Sequence, residues 1–470
     1  MTEQYFSGLR IELFLTMLIL ALLVGKVLAI KQNPIGTLTL ISVFLISSIG
    51  ISFMQNESGY LFGTMFRTNS TILFEKAILL AGTFIVFMLG FEWMKKQKHF
   101  LEFCMLLLST LLGMCFMISS GNFLMFFLGL ELATIPLAAL ASFDLDEKKS
   151  SEAGMKLILS SAFASAILLF GISFIYGTTG SVSFDTIASA IDGNNVQKFG
   201  FICILTGFAF KISAVPFHFW TADVYEGAPV AITSYLSVVS KGAAIFVLMP
   251  VLYHAFGRMS STYIPALILL STVTIITGNL FALRQKSMKR FLAFSTVTQA
   301  GYLLLGITGN NTEAGASVVY FMLIYIFSNL GAFTVVSILQ NRTGRDDIGV
   351  YKGLYKTNPT LSMVLLLALF SLAGIPPAAG FFGKLFLLSS AAGAGYYVAV
   401  IIASVNMVVS LYYYLNIVKM MFVDEPEITI EKLKPAVTEQ ISLFICCCGI
   451  LVIGFIPAIY EYIYNLSAAI

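Results

Sequence analysis

Fourteen apolar runs follow one another along the chain, at about 9–30, 37–54, 72–91, 101–119, 122–142, 154–177, 199–220, 228–252, 263–283, 289–308, 313–340, 360–393, 396–422 and 438–460. A helix of about 20 apolar residues crosses the ~30 Å hydrocarbon layer of a bilayer. Within that layer no water can satisfy backbone N–H and C=O groups, so only helices or closed barrels span it. Barrel strands need only about 9–11 residues, and these runs are far longer. The sequence therefore predicts an all-α polytopic membrane protein of about fourteen transmembrane helices. Composition agrees: 58% of the 470 residues are hydrophobic and 11% are charged, where a soluble domain carries about 25% charged residues. The first run is too long for the apolar core of a signal peptide and lacks a small-residue cleavage site, so it reads as a span.

Charge placement orients the runs. If the first connection faces side one, that side holds 19 Lys and Arg residues, including Lys95, Lys96, Lys98, Lys156, Arg284 and Arg290. The other side holds five, namely Arg10, Arg67, Lys76, Lys198 and Arg258. Excess Lys and Arg marks the cytoplasmic side. Side one is then cytoplasmic, and both termini face outward across the bacterial inner (plasma) membrane.

Three cations remain, and all lie inside runs: Lys211, Lys241 and Lys384. Lys211 stands about 12 residues into its run, ~18 Å along a helix, too deep to snorkel to an interface. Pro216 follows five residues later, and a proline inside a helix removes one hydrogen bond and frees a carbonyl. Free backbone at membrane depth persists only where protein or a water-filled cavity covers it. The stretch Lys211-Ile-Ser-Ala-Val-Pro-Phe-His-Phe-Trp-Thr-Ala222 thus reads as a broken helix with an amine beside the break. The run 360–393 would be ~51 Å long if straight, and Gly374-Ile-Pro-Pro-Ala-Ala-Gly380 breaks it just before Lys384.

These two interruptions organise the chain. Residues 1–98 form an N-terminal three-helix segment, 99–260 a first five-helix repeat, 261–422 a second, and 423–470 a cytoplasmic loop with a C-terminal helix. Five spans per unit give the repeats opposite orientation. An interrupted span in fourth place in each repeat is the pattern of a transport site.

Glu131 stands mid-span in Phe-Leu-Gly-Leu-Glu131-Leu, and Lys156 opens the sixth span. An ionised group at the bilayer centre costs about 2.5–3.5 kcal/mol on insertion scales and marks a functional site by default. The expected partner of Glu131 is Lys211 or Lys156. Lysine suits proton transfer when desolvated, because burial brings its proton affinity toward the physiological range and a nearby carboxylate opposes that shift. Amines joined by water and by the hydroxyls of Ser213, Thr233 and Ser237 would form a relay. His218, with an unperturbed pKa near 6.5, is a further candidate. Glu12, Glu75 and Glu102 fall near span ends and are expected at the interface, and Asp223 and Glu226 in a solvated cytoplasmic connection. The six cysteines lie in apolar runs with no C-x-x-C pair, which argues against metal or disulfide roles. The chain shows no phosphate-binding or dinucleotide glycine fingerprint, hence no evident site for nucleotide, flavin or iron–sulfur cluster.

The segments Gly129-Leu-Glu131-Leu, Phe210-Lys-Ile-Ser-Ala-Val-Pro-Phe-His-Phe-Trp220, Ser240-Lys-Gly242 and Ser371-Leu-Ala-Gly-Ile-Pro-Pro-Ala-Ala-Gly-Phe-Phe-Gly-Lys384 resemble the antiporter-like membrane subunits of respiratory complex I, the proton-translocating NADH-quinone oxidoreductase. The resemblance runs from about the third span to the thirteenth. The family's larger subunits add a long lateral helix after the bundle, whereas one span follows the second repeat here. A close relative carries Glu where this chain has Lys384. The resemblance implies two proton half-channels, with functional residues at Glu131, Lys156, Lys211, Lys241 and Lys384. It also implies partner membrane and peripheral subunits that hold NADH, flavin, iron–sulfur clusters and quinone, and no nucleic acid. A subunit of a cation/proton antiporter complex or of a membrane-bound hydrogenase is the alternative of similar build.

Overall fold

The structure, a computed structural model, describes residues 8–28, 33–54, 58–426 and 430–467. In chain order its main helices are α1 (Arg10–Val27), α2 (Pro34–Met54), α3 (Ser70–Met94), α4 (Phe100–Ile118), α5 (Phe123–Ala141), α6 (Lys148–Thr179), α7 (Phe184–Ala190), α8 (Asn195–Ile212), α9 (Phe219–Gly227), α10 (Val230–Ala255), α11 (Ser260–Ala282), α12 (Met288–Ile307), α13 (Thr312–Thr343), α14 (Pro359–Ala373), α15 (Ala379–Gly393), α16 (Tyr397–Phe422), α17 (Val437–Phe455) and α18 (Ala458–Ser467). The expected apolar runs fall on helices, interrupted in 199–220 and 360–393, and among the described residues ten helical stretches are long and apolar enough to cross a membrane. Part of the first expected run, about 9–30, lies outside the described residues, as does Lys31.

Polar caps set several boundaries. The side chains of Asn69, Asn122, Asn194, Ser287 and Asn311 accept hydrogen bonds from backbone N–H groups three residues on, satisfying donors that a helix start leaves free. Helices α3, α10 and α13 are buried along most of their length and form the centre. Helices α2, α6 and α16 present apolar residues outward, such as Phe163 and Val408.

Two parts of the bundle share one local plan. The cap of α5, Asn122, forms a bridge with Ser183 just beyond α6, and the cap of α12, Ser287, forms one with Asp347 just beyond α13. Helices α6 and α13 are both 32 residues long. Both stop at a glycine of left-handed backbone, Gly180 (φ 69°) and Gly344 (φ 68°). The next long helix is broken in both. Helix α8 stops at Ser213 (φ 64°) and resumes as α9, and α14 stops at Gly374 (φ 83°) and resumes as α15. Each break ends in a turn where the second residue past the helix bonds five residues back, Ala214 to Ala209 and Ile375 to Phe370.

The structure corrects several expectations. Helix α10 is not uniform, because π-helical turns occupy Leu236–Ser240 and Val251–Ala255. The C-terminal run is two helices, since Pro457 supplies no N–H to continue α17. A short antiparallel hairpin, Gly59–Leu61 with Phe66–Thr68, covers one end of the bundle beside α3. Glu12 and Glu75 are buried within the bundle. Glu12 pairs with Lys76 at 2.6 Å, joining α1 to α3, so Lys76 is not a loop charge. Glu102 keeps the expected rim position, pairing with Lys26 and His99.

Candidate functional site

The first break positions Lys211 in the last turn of α8. Its Nζ donates to Thr134 Oγ1 on α5 at 2.6 Å, and the Thr134 hydroxyl in turn donates to the Leu130 carbonyl at 2.6 Å. Glu131 lies three residues before Thr134 and within electrostatic range of Lys211, with no ion pair between them. Its Oε1 is buried without a hydrogen-bond partner among the described residues. Of the two expected partners of Glu131, Lys211 lies within its electrostatic range but gives its hydrogen bond to Thr134, and Lys156 faces elsewhere. A narrow cleft between α5, α6 and α8, lined by Thr134, Ser161, Ser165 and Gly207, reaches Lys211.

Lys156 lies at the bundle rim, its side chain 41% exposed, and donates to Asp223 Oδ2 at 2.6 Å. It also pairs with Glu152. Arg290 Nη1 joins Asp223 at 2.9 Å and Glu226 at 2.8 Å, and Lys149 joins Glu226 at 2.8 Å. This network ties α9 to α6 and to the start of α12. Burial alone would raise the carboxyls of Asp223 and Glu226, but Lys156 and Arg290 on the first, and Lys149 and Arg290 on the second, hold both below their ordinary values. Asp223 and Glu226 are thus paired rather than freely solvated. Beside them a cavity of about 690 Å³ is lined by Asp144, Glu147, Lys149, Lys289 and Asp346. Burial raises the carboxyl of Asp346, in the connection after α13, although Lys289 opposes the shift.

Lys241 follows the π-helical turn of α10 and is 3% exposed. Its Nζ has no hydrogen-bond partner among the described residues and lies 5.6 Å from the centroid of the Tyr225 ring. His218, in the first break, is 5% exposed, stacks near Phe219 at 4.5 Å and lies within electrostatic range of Lys241. Of the hydroxyls expected to link the amines, Ser237 donates to Asn329 Oδ1 at 2.8 Å, and Thr233 donates to the Tyr225 carbonyl. Ser213 Oγ is buried without a partner among the described residues.

Lys384 is 1% exposed, and its Nζ donates to the carbonyls of Leu372 (2.8 Å) and Ala373 (3.2 Å). In an unbroken helix those carbonyls would take N–H groups from residues 376 and 377, which are both proline. The prolines thus free the two acceptors that seat the amine, and the amine sits at the negative end of the α14 dipole. Gly380 makes this fit possible, because a Cβ there would collide with the Ser371 carbonyl.

Sequence reasoning missed further buried polar groups around Lys241 and Lys384. Tyr225 and Tyr325 lie within electrostatic range of each other, as do Tyr325 and Tyr414. Tyr325 OH accepts from Asn329 at 3.0 Å. Gln299 Nε2 donates to Tyr414 OH at 3.4 Å and to the Leu372 carbonyl at 3.1 Å, the acceptor that Lys384 also uses. Helical spacing from Glu131 would have found Thr134, three residues on. The tyrosines carried no distinguishing signal in a chain with 20 of them.

Comparison with known proteins agrees with this architecture. Residues 120–410 match the family described as NADH:quinone oxidoreductase/Mrp antiporter, TM. The NADH-quinone oxidoreductase subunit N of Phocaeicola vulgatus is 48% identical over 86% of this chain and 87% of its own length. A chain of respiratory complex I from Thermus thermophilus with bound aureothin superposes with a TM-score of 0.83, at 29% identity, over 95% of this chain and 97% of that one. A chain of the Mrp complex from Dietzia sp. DQ12-45-1b shares the fold with a TM-score of 0.88, at 21% identity, over 98% and 97%. With two broken helices, a lysine beside each, and similarity over most of its length, this protein belongs to the NADH:quinone oxidoreductase/Mrp antiporter membrane family and resembles its subunit N members.

Proposed function

We propose that this chain is the proton-translocating subunit N of a bacterial NADH-quinone oxidoreductase, without redox chemistry of its own. The observation that carries this reading is the seating of Lys384. A buried amine held on two carbonyls freed by Pro376 and Pro377, one of which Gln299 also holds while it binds Tyr414, is a site for holding and passing a proton. Glu131 controls the proton affinity of Lys211, and Lys241 and Lys384 follow in the relay. His218 borders it, and Lys156 stands at its cytoplasmic rim beside the charged cavity. The shared local plan supports two inverted repeats, 99–260 and 261–422, as two half-channels, with 1–98 and 423–470 as flanking segments. Flavin, iron–sulfur clusters, NADH and quinone belong to partner subunits, and the chain lies in the inner membrane with both termini outside.

The family description covers cation/proton antiporters as well, so the test separates the two. The native assembly carrying this chain is purified and assayed for NADH:quinone reductase activity. Activity together with flavin and iron–sulfur subunits is expected. An assembly without them, exchanging cations for protons, would overturn the proposal.

A further inference from the structure

The shared plan of the two halves brings together two residues that no motif singles out. Thr134 lies twelve residues beyond the helix cap Asn122, and Gln299 lies twelve beyond the corresponding cap Ser287. Lys211 lies two residues before the left-handed Ser213, and Leu372 lies two before the left-handed Gly374. The contact between these positions recurs. Thr134 binds Lys211 in the first half, and Gln299 binds Leu372 in the second. In each half, the second helix thus reaches the last turn before the break from the same place.

The chemistry differs in a way that fits the lysine each half carries. Thr134 has committed its only proton to the Leu130 carbonyl, so its oxygen can only accept from Lys211. An amine is a donor whether or not it is protonated, so this contact holds Lys211 in both states and keeps it out of an ion pair with Glu131. In the second half the lysine sits beyond the break, and Gln299 acts through the carbonyl that seats it. Leu372 O accepts from Gln299 and from Lys384, which uses both of its lone pairs. Gln299 is wholly buried, also holds Tyr414, and keeps its Oε1 without a partner among the described residues.

We infer that Thr134 and Gln299 are a matched pair of positioning residues, each fixing the relay lysine of its own half at the helix break. This rests on the proposed proton-translocating function. Thr134→Val and Gln299→Met, each close in shape to the native side chain, are placed in the complete complex, with Thr134→Ser, Lys211→Met and Lys384→Met beside them. Assembly is read on native gels, and proton uptake per NADH oxidised is read in vesicles. We expect Thr134→Val and Gln299→Met to assemble and to lose about tenfold in coupled proton uptake, equivalent to about 1.4 kcal/mol. Thr134→Ser, which keeps the hydroxyl, restores most of it. Equal losses for Thr134→Val and Thr134→Ser, or wild-type uptake in both Thr134→Val and Gln299→Met while the two lysine variants fail, would overturn the inference alone. Wild-type uptake in the lysine variants would instead overturn the proposed function. If Thr134→Val does not assemble, Thr134→Ala against Thr134→Ser gives the same comparison without added bulk at the site.

Discussion

Replacing Lys241 by Met separates a structural lysine from a working one. The amine is 3% exposed, has no hydrogen bond among the described residues, and has the Tyr225 ring 5.6 Å away. Holding a charge at such depth costs about 2.5–3.5 kcal/mol on insertion scales. A desolvated cation–π contact returns about 2 kcal/mol. The charged amine is therefore a net burden of about 0.5–1.5 kcal/mol, and methionine fills the same space without it. Lys241→Met should leave the complex as stable as the native one or stabilise it by up to that amount, while proton-coupled turnover is lost. The assay is thermal disassembly of the solubilised complex followed on native gels, with proton uptake measured in vesicles from the same cells. A destabilised complex that still pumps normally would refute the reasoning, because it would make Lys241 a packing element.

Other perturbations follow from neighbouring contacts. Breaking the buried Glu12–Lys76 pair with Lys76→Met alone should cost about 3–5 kcal/mol, visible as earlier thermal disassembly. Adding Glu12→Gln should recover much of that loss, because no unpaired charge then remains. Pro376→Ala with Pro377→Ala supplies the N–H groups that Leu372 and Ala373 lack in an unbroken helix, together worth about 1–3 kcal/mol. The double variant should loosen the seat of Lys384 and lower proton uptake, and unchanged uptake in an assembled complex would count against the break. Asp223 and Glu226 have lowered carboxyls, so their contribution to the rim network is complete above their ordinary values of 3.8 and 4.5 and is lost as pH falls below them. Hydrogen-exchange protection in α9, taken relative to the intrinsic rate at each pH, should fall across that acid window and stay flat between pH 6 and 8.

The helices, the two breaks and the placement of Lys211, Lys241 and Lys384 within helices were legible in the sequence because each rests on a local rule: run length, proline chemistry and charge in an apolar run. What chain order does not encode is which faces meet. Glu12 and Lys76 each stand near the end of an apolar run, and only the packing of α1 on α3 turns two apparent rim charges into a buried pair. Likewise Glu131 and Lys211 look like natural partners by charge, yet Thr134 takes the amine because it stands one turn further along the same face. The seat of Lys384 was half legible. Pro376 and Pro377 announced freed carbonyls, but nothing in the sequence showed that the freed carbonyls would face the amine twelve residues after Leu372. The hairpin at 59–68 escaped because it is short and lies between two strong apolar runs.

The relay itself is tested most directly at Lys211. Arginine keeps the positive charge and can still donate to Thr134, but it stays protonated at any physiological pH and cannot release a proton. In an assembled complex carrying Lys211→Arg, quinone reduction coupled to proton uptake in vesicles should be abolished or nearly so, with the deficit steepest at high membrane potential, where each charge moved costs about 2.3 kcal/mol per 100 mV. Full proton pumping by that complex would contradict a proton-carrying role for Lys211 and leave it a structural cation at the end of a broken helix.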